Sequence, residues 1–192
     1  EEYACQRAFD RDPEKVWEFH EKRRKFMSEC NPALGHKIIA DIEKAKPGTT
    51  VVTQNIDGMH QRAGNGNVLE LHGSIWRVRC DRDGTVEENF NVPLEDKRCP
   101  KCGDYLRPDI VWFEDGLNVE VINDAIRAVM NCDLLITVGT SAMVFPAAEI
   151  PVIAIQKQIP SIEINLESTP LTPHYQHFMQ GSAGEMLRRL WD

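Results

Sequence analysis

Residues 49–60, TTVVTQNIDGMH, combine a β-branched run with the polar residues that follow it. The run at 49–54 has the composition and the length of a buried strand in a parallel sheet. Residues 55–63 return to a helical pattern, and residues 68–71 have the pattern of a second strand. A strand, a helix and a further strand in this order predict a parallel sheet covered by helices.

The same alternation continues towards the C-terminus. Strands are predicted at residues 110–113, 134–138 and 161–165, and helices at 119–130, after Pro146 and at 185–190. Residues 75–109 interrupt the pattern, and they contain too little apolar sequence for a core without a metal or a host domain. We predict an α/β fold, a doubly wound parallel (Rossmann-like) sheet with a small helical and zinc-ribbon-like module.

Two helices are predicted before this alternation begins. The first covers residues 13–27 and is amphipathic. Its apolar face is expected to carry Val16, Phe19, Phe26 and Met27. The second is expected to begin at Asn31-Pro32, because asparagine caps helices well and proline suits the first turn.

The charge balance of the 192 residues limits the possible partners. Asp and Glu number 30 against 22 Lys and Arg, which gives a formal net charge of -8. Binding to nucleic acid or to an anionic membrane needs a cationic field, so neither is expected. No apolar run approaches the roughly 20 residues of a membrane span, and the first residues do not have the pattern of a signal peptide.

The six cysteines are distributed like a metal site rather than a disulfide network. Cys99 and Cys102 form a C-x-x-C pair with Cys80 nearby, while Cys5, Cys30 and Cys132 stand alone. This pattern favours a metal site and buried thiols in a reducing compartment. The alternatives are a redox C-x-x-C, which normally opens a helix, and a DNA-binding zinc ribbon, which the net charge disfavours.

Polar residues follow four of the predicted strands. These sets are residues 54–57, 72–73, 139–141 and 165–167. Ligands of open α/β sheets bind beyond the carboxyl ends of the strands, so we expect the four sets to converge on one crevice. The alternative is that each set only caps a helix or forms a turn.

These motifs resemble those of the sirtuins, in the same order and at approximately the same spacing. The matching stretches are TQNIDGMH at 53–60, LHGS at 71–74, VGTS at 138–141 and Ile164-Asn165, within a match that runs from about residue 8 to the C-terminus. Residues 17–24, WEFHEKRR, and 106–113, LRPDIVWF, look most like the bacterial and mitochondrial branch that removes acidic acyl groups. The resemblance implies an NAD-dependent protein-lysine deacylase that acts on acetyl, succinyl or malonyl lysine.

The resemblance also implies roles for individual residues. In sirtuins the acyl oxygen attacks the ribose carbon that bears nicotinamide, and the products are free lysine, nicotinamide and O-acyl-ADP-ribose. Asn55 and Asp57 would occupy the nicotinamide pocket, and His72 would be the general base, a role that suits an imidazole. The NAD contacts implied in total are Gln54, Asn55, Ile56, Asp57, Gly139, Thr140, Ser141, Asn165, Leu166, Glu167 and Ala183.

Three further residues lie at family positions that contact the substrate. Val144 matches a position that contacts the acyl-lysine peptide. The acidic-acyl branch has Tyr-x-x-Arg in the first helix, where Arg23 matches and His20 replaces the tyrosine. Arg23 is expected to pair with the carboxylate of the acyl group, and the alternative is an ion pair with a carboxylate of the protein itself. His20 is expected to donate to it more strongly as the pH falls toward about 6.5.

The chain departs from the family in its metal motif and just after Phe113. The first of the two family C-x-x-C pairs reads Cys80-Asp81-Arg82-Asp83 here. The expected ligands of a structural zinc ion are therefore Cys80, Asp83, Cys99 and Cys102. After Phe113 the family continues Gly-Glu, whereas this chain has Glu114-Asp115-Gly116.

The resemblance predicts how the chain divides into domains. Residues 31–74 and 110–192 would form the Rossmann-like NAD-binding domain, and residues 1–30 and 75–109 the small domain with the zinc module. The family carries a Gly-Ala-Gly pyrophosphate loop after a first strand, and this sequence has none, so we expect a truncated or incompletely represented enzyme that is inactive in this form. The expected location is cytoplasmic, or mitochondrial in a eukaryote. The alternatives are a protein mono-ADP-ribosyltransferase and a non-catalytic protein-binding fragment.

Overall fold

The computed structural model describes residues 3–113 and 115–192, which form two compact units. Unit 1 contains the described residues up to 31, then 53–58 and 70–118, and unit 2 contains 32–52, 59–69 and 119–192. The helices are α1 Gln6–Arg11, α2 Pro13–Glu29, α3 Leu34–Ala45, α4 Met59–Ala63, α5 Val119–Met130, α6 Glu149–Gln156 and α7 Ala183–Trp191. The strands are β1 Val51–Thr53, β2 Val68–Glu70, β3 Gly73–Arg79, β4 Val86–Glu88, β5 Arg107–Ile110, β6 Leu135–Val138, β7 Ser161–Asn165 and β8 His177–Gln180.

The parallel sheet that the alternating pattern predicts is found only in part: β6, β7 and β8 form it in unit 2, whereas β1 and β2 pair with each other in a separate two-stranded sheet. β7 lies between β6 and β8 and pairs in parallel with both. The buried core beside this sheet combines residues of α3, β7 and α7, namely Ile38, Ile162, Ile164, Met186 and Leu187. β8 was not predicted, because His177–Gln180 lacks the β-branched run of a buried strand and its residues are half-buried or exposed.

Unit 1 contains an antiparallel sheet in the order β4-β3-β5. The strand predicted at 110–113 is wrong, because the paired segment is Arg107–Ile110, in register with β3 from Arg79 to Gly73. Arg107 can lie in a buried strand because its guanidinium donates to the carboxylate of Asp115 over 2.6 Å. The backbone N–H of Trp112 donates to the same carboxylate, so the apolar run ends in a turn instead of a ladder.

The buried face of α2 differs from the predicted one. The buried residues are Val16, Trp17, His20 and Arg24, whereas Phe26 is 68% exposed. The indole N–H of Trp17 donates to the carbonyl of Leu106 over 2.7 Å, which fixes the rotation of the helix. A count of apolar residues missed this face because two of its members, a histidine and an arginine, are polar.

The remaining elements follow the sequence pattern more closely. The strand at Ser161–Asn165 and the helix at Val119–Met130 have the predicted bounds. The helix predicted from Asn31-Pro32 begins later, at Leu34, with Ala33 as its cap. Within the described residues, none of the helices has the length and apolar character needed to cross a membrane.

Candidate active site and metal centre

His72 lies at the end of β2, beside the polar segment that follows β1. Its Nδ1 atom is 2.9 Å from the carbonyl oxygen of Gln54. A carbonyl oxygen can only accept, so Nδ1 carries the proton and the lone pair of the neutral ring is on Nε2. The N–H of Leu71 donates to the carbonyl of Thr53 over 2.9 Å and joins the two strand ends. The ring is therefore oriented as a general base requires.

Gly73 fixes the chain immediately after His72. Its φ of +73° is unfavourable for other residues, and a Cβ atom there would lie 2.1 Å from the carbonyl oxygen of Asp109. The N–H of Val111 donates to the carbonyl of His72 over 3.0 Å. The backbone of His72 is thus held against β5 and the residue that follows it.

Asn55 and Asp57 lie in the same unit as His72, within residues 53–58. The backbone N–H of Asn55 donates to the hydroxyl of Thr53 over 3.1 Å, and the side chain of Asn55 is exposed. Gln54, Ile56 and Asp57 are half-buried. The three residues predicted to carry the chemistry are therefore presented by one unit.

The other predicted NAD contacts lie in unit 2, after adjacent parallel strands. The N–H of Gly139 donates to the carbonyl of Ile164, and the N–H of Gly181 to that of Asn165, both over 2.9 Å. The side-chain amide of Asn165 donates to the carbonyl of Thr140 over 2.8 Å. These bonds bring the ends of β6, β7 and β8 together. The predicted residues that lie exposed here are Gly139, Ser141, Leu166, Glu167 and Ala183.

Val144 lies in the loop between β6 and α6, and its side chain is 51% exposed. Its carbonyl accepts a hydrogen bond from the N–H of Ala148 over 2.8 Å, which closes a turn before α6. The contacts of Val144 do not bear on peptide binding, so that role stays a prediction.

Arg23 and His20 have different environments on α2. Arg23 is half-buried, and its guanidinium lies over the ring of Phe19 at 5.7 Å and pairs with no carboxylate among the described residues. His20 is fully buried, with its ring 6.1 Å from that of Trp112. Burial and, to a smaller extent, the charge of Arg23 lower the pKa of His20 to about 4. The expectation that His20 gains a proton near pH 6.5 is therefore wrong, and its contact with an acyl group stays a prediction.

The four predicted metal ligands come together in unit 1. Cys80, Asp83, Cys99 and Cys102 place their ligand atoms within 4.8 Å of one another. The sulfurs of Cys80 and Cys102 are 3.4 Å apart, and the Cys99 sulfur is 3.0 Å from a carboxylate oxygen of Asp83. A tetrahedral zinc ion with bonds of about 2.0–2.3 Å separates its ligand atoms by roughly 3.3–3.8 Å. The Cys80–Cys102 distance lies in this range and the Cys99–Asp83 distance is slightly shorter, and three thiols with one carboxylate are a donor set that zinc accepts.

The two turns that supply these ligands are built alike. The backbone N–H of Cys80 donates to the carbonyl of Thr85 over 2.8 Å, and that of Cys99 donates to the carbonyl of Asp104 over 2.7 Å. In each turn the acceptor lies five residues after the donor. Asp83 therefore holds in the first turn the place that Cys102 holds in the second. Hydrogen bonds from the Cys99 thiol and from Thr85 hold the pKa of the Asp83 carboxyl below its usual range. The carboxylate is thus charged and able to act as a ligand.

Comparison of the sequence with known protein families identifies the family of this chain. Residues 1–146 match the model of the Sir2 family. The chain belongs to the Sir2 family. The resemblance to sirtuins is confirmed, and with it the α/β fold.

Two Sir2 relatives are named for their activity. The "NAD-dependent protein deacylase" of Aquifex aeolicus is 39% identical over 194 residues, which cover 100% of this chain and 81% of the relative. The "NAD-dependent protein deacylase 2" of Pyrobaculum aerophilum is 45% identical over 192 residues, 99% of this chain and 77% of the relative. Among solved structures, a Sir2 homolog–NAD complex matches with a TM-score of 0.93 at 40% identity, over 99% of this chain and 75% of that one.

One residue beside the strand ends of this Sir2 chain was missed by sequence analysis. Glu163 on β7 is 1% exposed and accepts hydrogen bonds from the hydroxyls of Thr169, at 2.7 Å, and Thr172. A buried carboxylate needs such partners, so these bonds hold the loop that follows Asn165. The signal was present, because a glutamate inside an otherwise apolar strand is unusual.

Proposed function

We propose that the protein is an NAD-dependent protein-lysine deacylase that releases nicotinamide and O-acyl-ADP-ribose. The observation that carries the proposal is the ring of His72, whose Nδ1–H donates to Gln54 and leaves Nε2 as a base. Asn55 and Asp57 belong to the same unit, and relatives at about 40% identity are named as deacylases. The Sir2 homolog–NAD complex supports NAD as the cosubstrate.

The residues of the chain have distinct tasks in this proposal. NAD, when bound, supplies a ribose carbon from which nicotinamide departs as the acyl oxygen attaches. The Nε2 atom of His72 takes a proton from a ribose hydroxyl and makes that oxygen a nucleophile. The exposed amide of Asn55 can bond the carboxamide of nicotinamide, and the carboxylate of Asp57 can stabilise developing positive charge. Gly139–Ser141 and Asn165 offer backbone and hydroxyl groups to ribose and phosphate.

The proposal extends to acyl groups that end in a carboxylate. Arg23 supports it, since an arginine that is half-buried and has no acidic partner among the described residues retains its bidentate donors. Acylated lysine side chains of proteins, with a preference for succinyl, malonyl or glutaryl groups, are the proposed substrates. The preference for one acyl group over another would then depend on the charge of Arg23, since His20 is neutral.

A structural zinc ion on Cys80, Asp83, Cys99 and Cys102 is also part of the proposal. Four protein ligands leave no open position for substrate, so the ion would stabilise the two turns without taking part in the reaction. Thiols must stay reduced to bind the ion, which supports a reducing compartment such as the cytoplasm.

The decisive test is product analysis on the protein encoded by the complete gene. Acetyl-lysine and succinyl-lysine peptides are incubated with the protein and NAD, and mass spectrometry measures nicotinamide, O-acyl-ADP-ribose and free peptide. We expect all three in equal amounts, with more product from the succinyl peptide. Transfer of ADP-ribose to protein would favour a mono-ADP-ribosyltransferase instead. Absence of nicotinamide release with either peptide would overturn the proposal.

A further inference from the structure

We propose that Trp76 is a positioning residue for Asp57 and thereby controls how the protein binds and releases nicotinamide. This inference rests on the proposed function, which assigns Asp57 to the nicotinamide pocket. Trp76 belongs to β3, is 7% exposed, and follows His72 by four positions. It contacts the backbone of Asp57 and of Gly58.

Both peptide groups that flank Asp57 are held by β3. The carbonyl of Ile56, before Asp57, accepts a hydrogen bond from the N–H of Ile75 over 2.9 Å. The carbonyl of Asp57 itself accepts from the indole N–H of Trp76 over 2.7 Å. Since each bond fixes one of the two peptide planes, together they fix the direction in which the Asp57 side chain leaves the backbone.

The Trp76 ring also restricts the chain just beyond Asp57. Gly58 has a φ of +69°, and a Cβ atom there would lie 2.9 Å from Cδ1 of Trp76. The ring therefore packs directly on the Gly58 backbone, where another residue type would have to displace it. The Trp76 side chain therefore restricts the peptide group between Asp57 and Gly58 twice, by a hydrogen bond to the Asp57 carbonyl and by packing on Gly58.

A buried arginine holds Trp76 in place. Arg24 is 0% exposed, and its guanidinium lies 5.2 Å from the centre of the Trp76 ring. Arg24 donates to the carbonyl of Ile75 over 2.6 Å, and to the carbonyls of Asn89 and Asn91 over 2.8 Å each. A charge with this many acceptors tolerates burial, whereas a misplaced one would be costly.

The backbone of Trp76 is tied to the same group of residues. Its carbonyl accepts from the N–H of Asn89 over 2.8 Å, and its ring stacks on Phe90 with centroids 6.0 Å apart. Trp76 is therefore fixed by α2 and by the segment after β4, and Asp57 is fixed by Trp76. Loss of the indole N–H should loosen Asp57 without removing any group that meets the substrate.

The test compares Trp76→Phe with Trp17→Phe in the complete protein. The two tryptophans are matched, since both are buried and each donates its indole N–H to a backbone carbonyl over 2.7 Å. Trp17 donates to Leu106, whereas Trp76 donates to Asp57. The measurements are the inhibition constant of nicotinamide, kcat, and the KM of the acyl peptide.

We expect Trp76→Phe to raise the inhibition constant of nicotinamide about fivefold, which corresponds to roughly 1 kcal/mol. The KM of the peptide should stay within about twofold of wild type, and Trp17→Phe should change neither value by more than that. Equal effects of the two substitutions on nicotinamide inhibition would overturn the inference. Arg24→Lys removes the several N–H donors of the guanidinium and should raise the inhibition constant of nicotinamide in the same way, by a smaller factor. This variant replaces Trp76→Phe in the test if Trp76→Phe does not fold.

Hydrogen exchange separates this inference from the proposed function. In Trp76→Phe the amides of residues 57–59 should exchange faster than in wild type, and in Trp17→Phe they should not. This readout does not require activity. A wild-type protein without nicotinamide release would defeat the proposed function, whereas unchanged exchange at 57–59 in Trp76→Phe would defeat the positioning role.

Discussion

Unit 1 and unit 2 hold their polar strand-end groups in different ways. In unit 2, regular parallel strands present Gly139–Ser141 and Asn165 beside a core of isoleucine, methionine and leucine side chains. In unit 1, His72 and residues 54–58 depend on single specific contacts, which include a buried arginine and a buried tryptophan. A strand ladder shares its stability among many equivalent bonds. The unit 1 groups should therefore respond more strongly to metal, protons and point substitutions.

Metal removal should give the largest difference between the units. Zinc bound by Cys80, Asp83, Cys99 and Cys102 would contribute on the order of 10 kcal/mol to the structure that depends on it, as in small zinc domains. We expect a chelator to remove the exchange protection of residues 80–85 and 99–104 in unit 1, while β7 in unit 2 keeps its own. Hydrogen-exchange mass spectrometry measures both regions in one sample.

A change of ligand at Asp83 supplies the control for metal removal. Asp83→Cys restores a fourth thiolate and should slow the loss of zinc to a chelator, whereas Asp83→Ala should speed it. Elemental analysis of each variant gives the zinc content. Protein that is purified without chelator, contains no metal and keeps both turns ordered would rule out the zinc site.

Substitution of the base in unit 1 should have the next largest effect. His72→Ala should lower kcat/KM for an acyl peptide by about 10²- to 10⁴-fold, because removal of a general base costs that much. His174→Ala, an exposed histidine of unit 2, is the control and should leave the rate unchanged. The assay follows peptide deacylation with the complete protein. A His72→Ala variant with wild-type turnover would remove this residue from the mechanism.

Acid should destabilise unit 1 through His20. Burial lowers the pKa of His20 to about 4, whereas a histidine in an unfolded chain ionises near 6.5. The unfolded state therefore binds a proton that the folded state excludes, and stability is lost as the pH falls from 6.5 toward 4. Between pH 7 and pH 5 this one group should lower the free energy of unfolding by about 2 kcal/mol.

Urea unfolding followed by tryptophan fluorescence measures this loss in unit 1. Trp17, Trp76 and Trp112 lie in unit 1, so the signal reports mainly on that unit. The variant His20→Leu removes the titrating group and should lose about 2 kcal/mol less than wild type over the same pH range. Equal losses in the two proteins would show that His20 is accessible to protons in the folded state.

The smallest expected effect is on acyl selectivity. Arg23→Met should lower the preference for succinyl over acetyl lysine by at least about tenfold, or roughly 1.4 kcal/mol, which is modest for a charge-assisted pair. Lys25→Met, which removes an equal charge from an exposed position of α2, should leave the preference unchanged. The measurement is kcat/KM for the two peptides. Parallel changes for both peptides in Arg23→Met would make Arg23 a structural residue.

The sequence predicted those elements whose pattern depends on neighbours along the chain. β7 and α5 follow directly from apolar periodicity. The grouping of Cys80, Cys99 and Cys102 follows from their spacing, and that of Asp83 from the match to the family's two C-x-x-C pairs. The antiparallel strand β5 was misplaced by three residues, because Arg107 reads as polar until its ion pair with the half-buried Asp115 is known. The face of α2 was wrong for the same reason.

The candidate site was predictable to a similar extent. His72, Asn55 and Asp57 could be selected because they follow strands and match a family motif. Trp76 and Arg24 could not, since their partners are backbone carbonyls of residues that lie up to 67 positions away in the sequence. Every residue has a backbone carbonyl, so no sequence pattern shows which carbonyl will accept a given hydrogen bond.

Gly73 has a consequence for how this protein tolerates sequence change. A methyl group at that position would lie 2.1 Å from the carbonyl oxygen of Asp109, and the backbone there has a φ of +73°. In a library of single-residue variants screened only for solubility and folding, position 73 should admit no alternative residue. An engineer can exchange His72, but not the glycine that follows it. Redesign of this centre must therefore vary side chains around an unchanged loop.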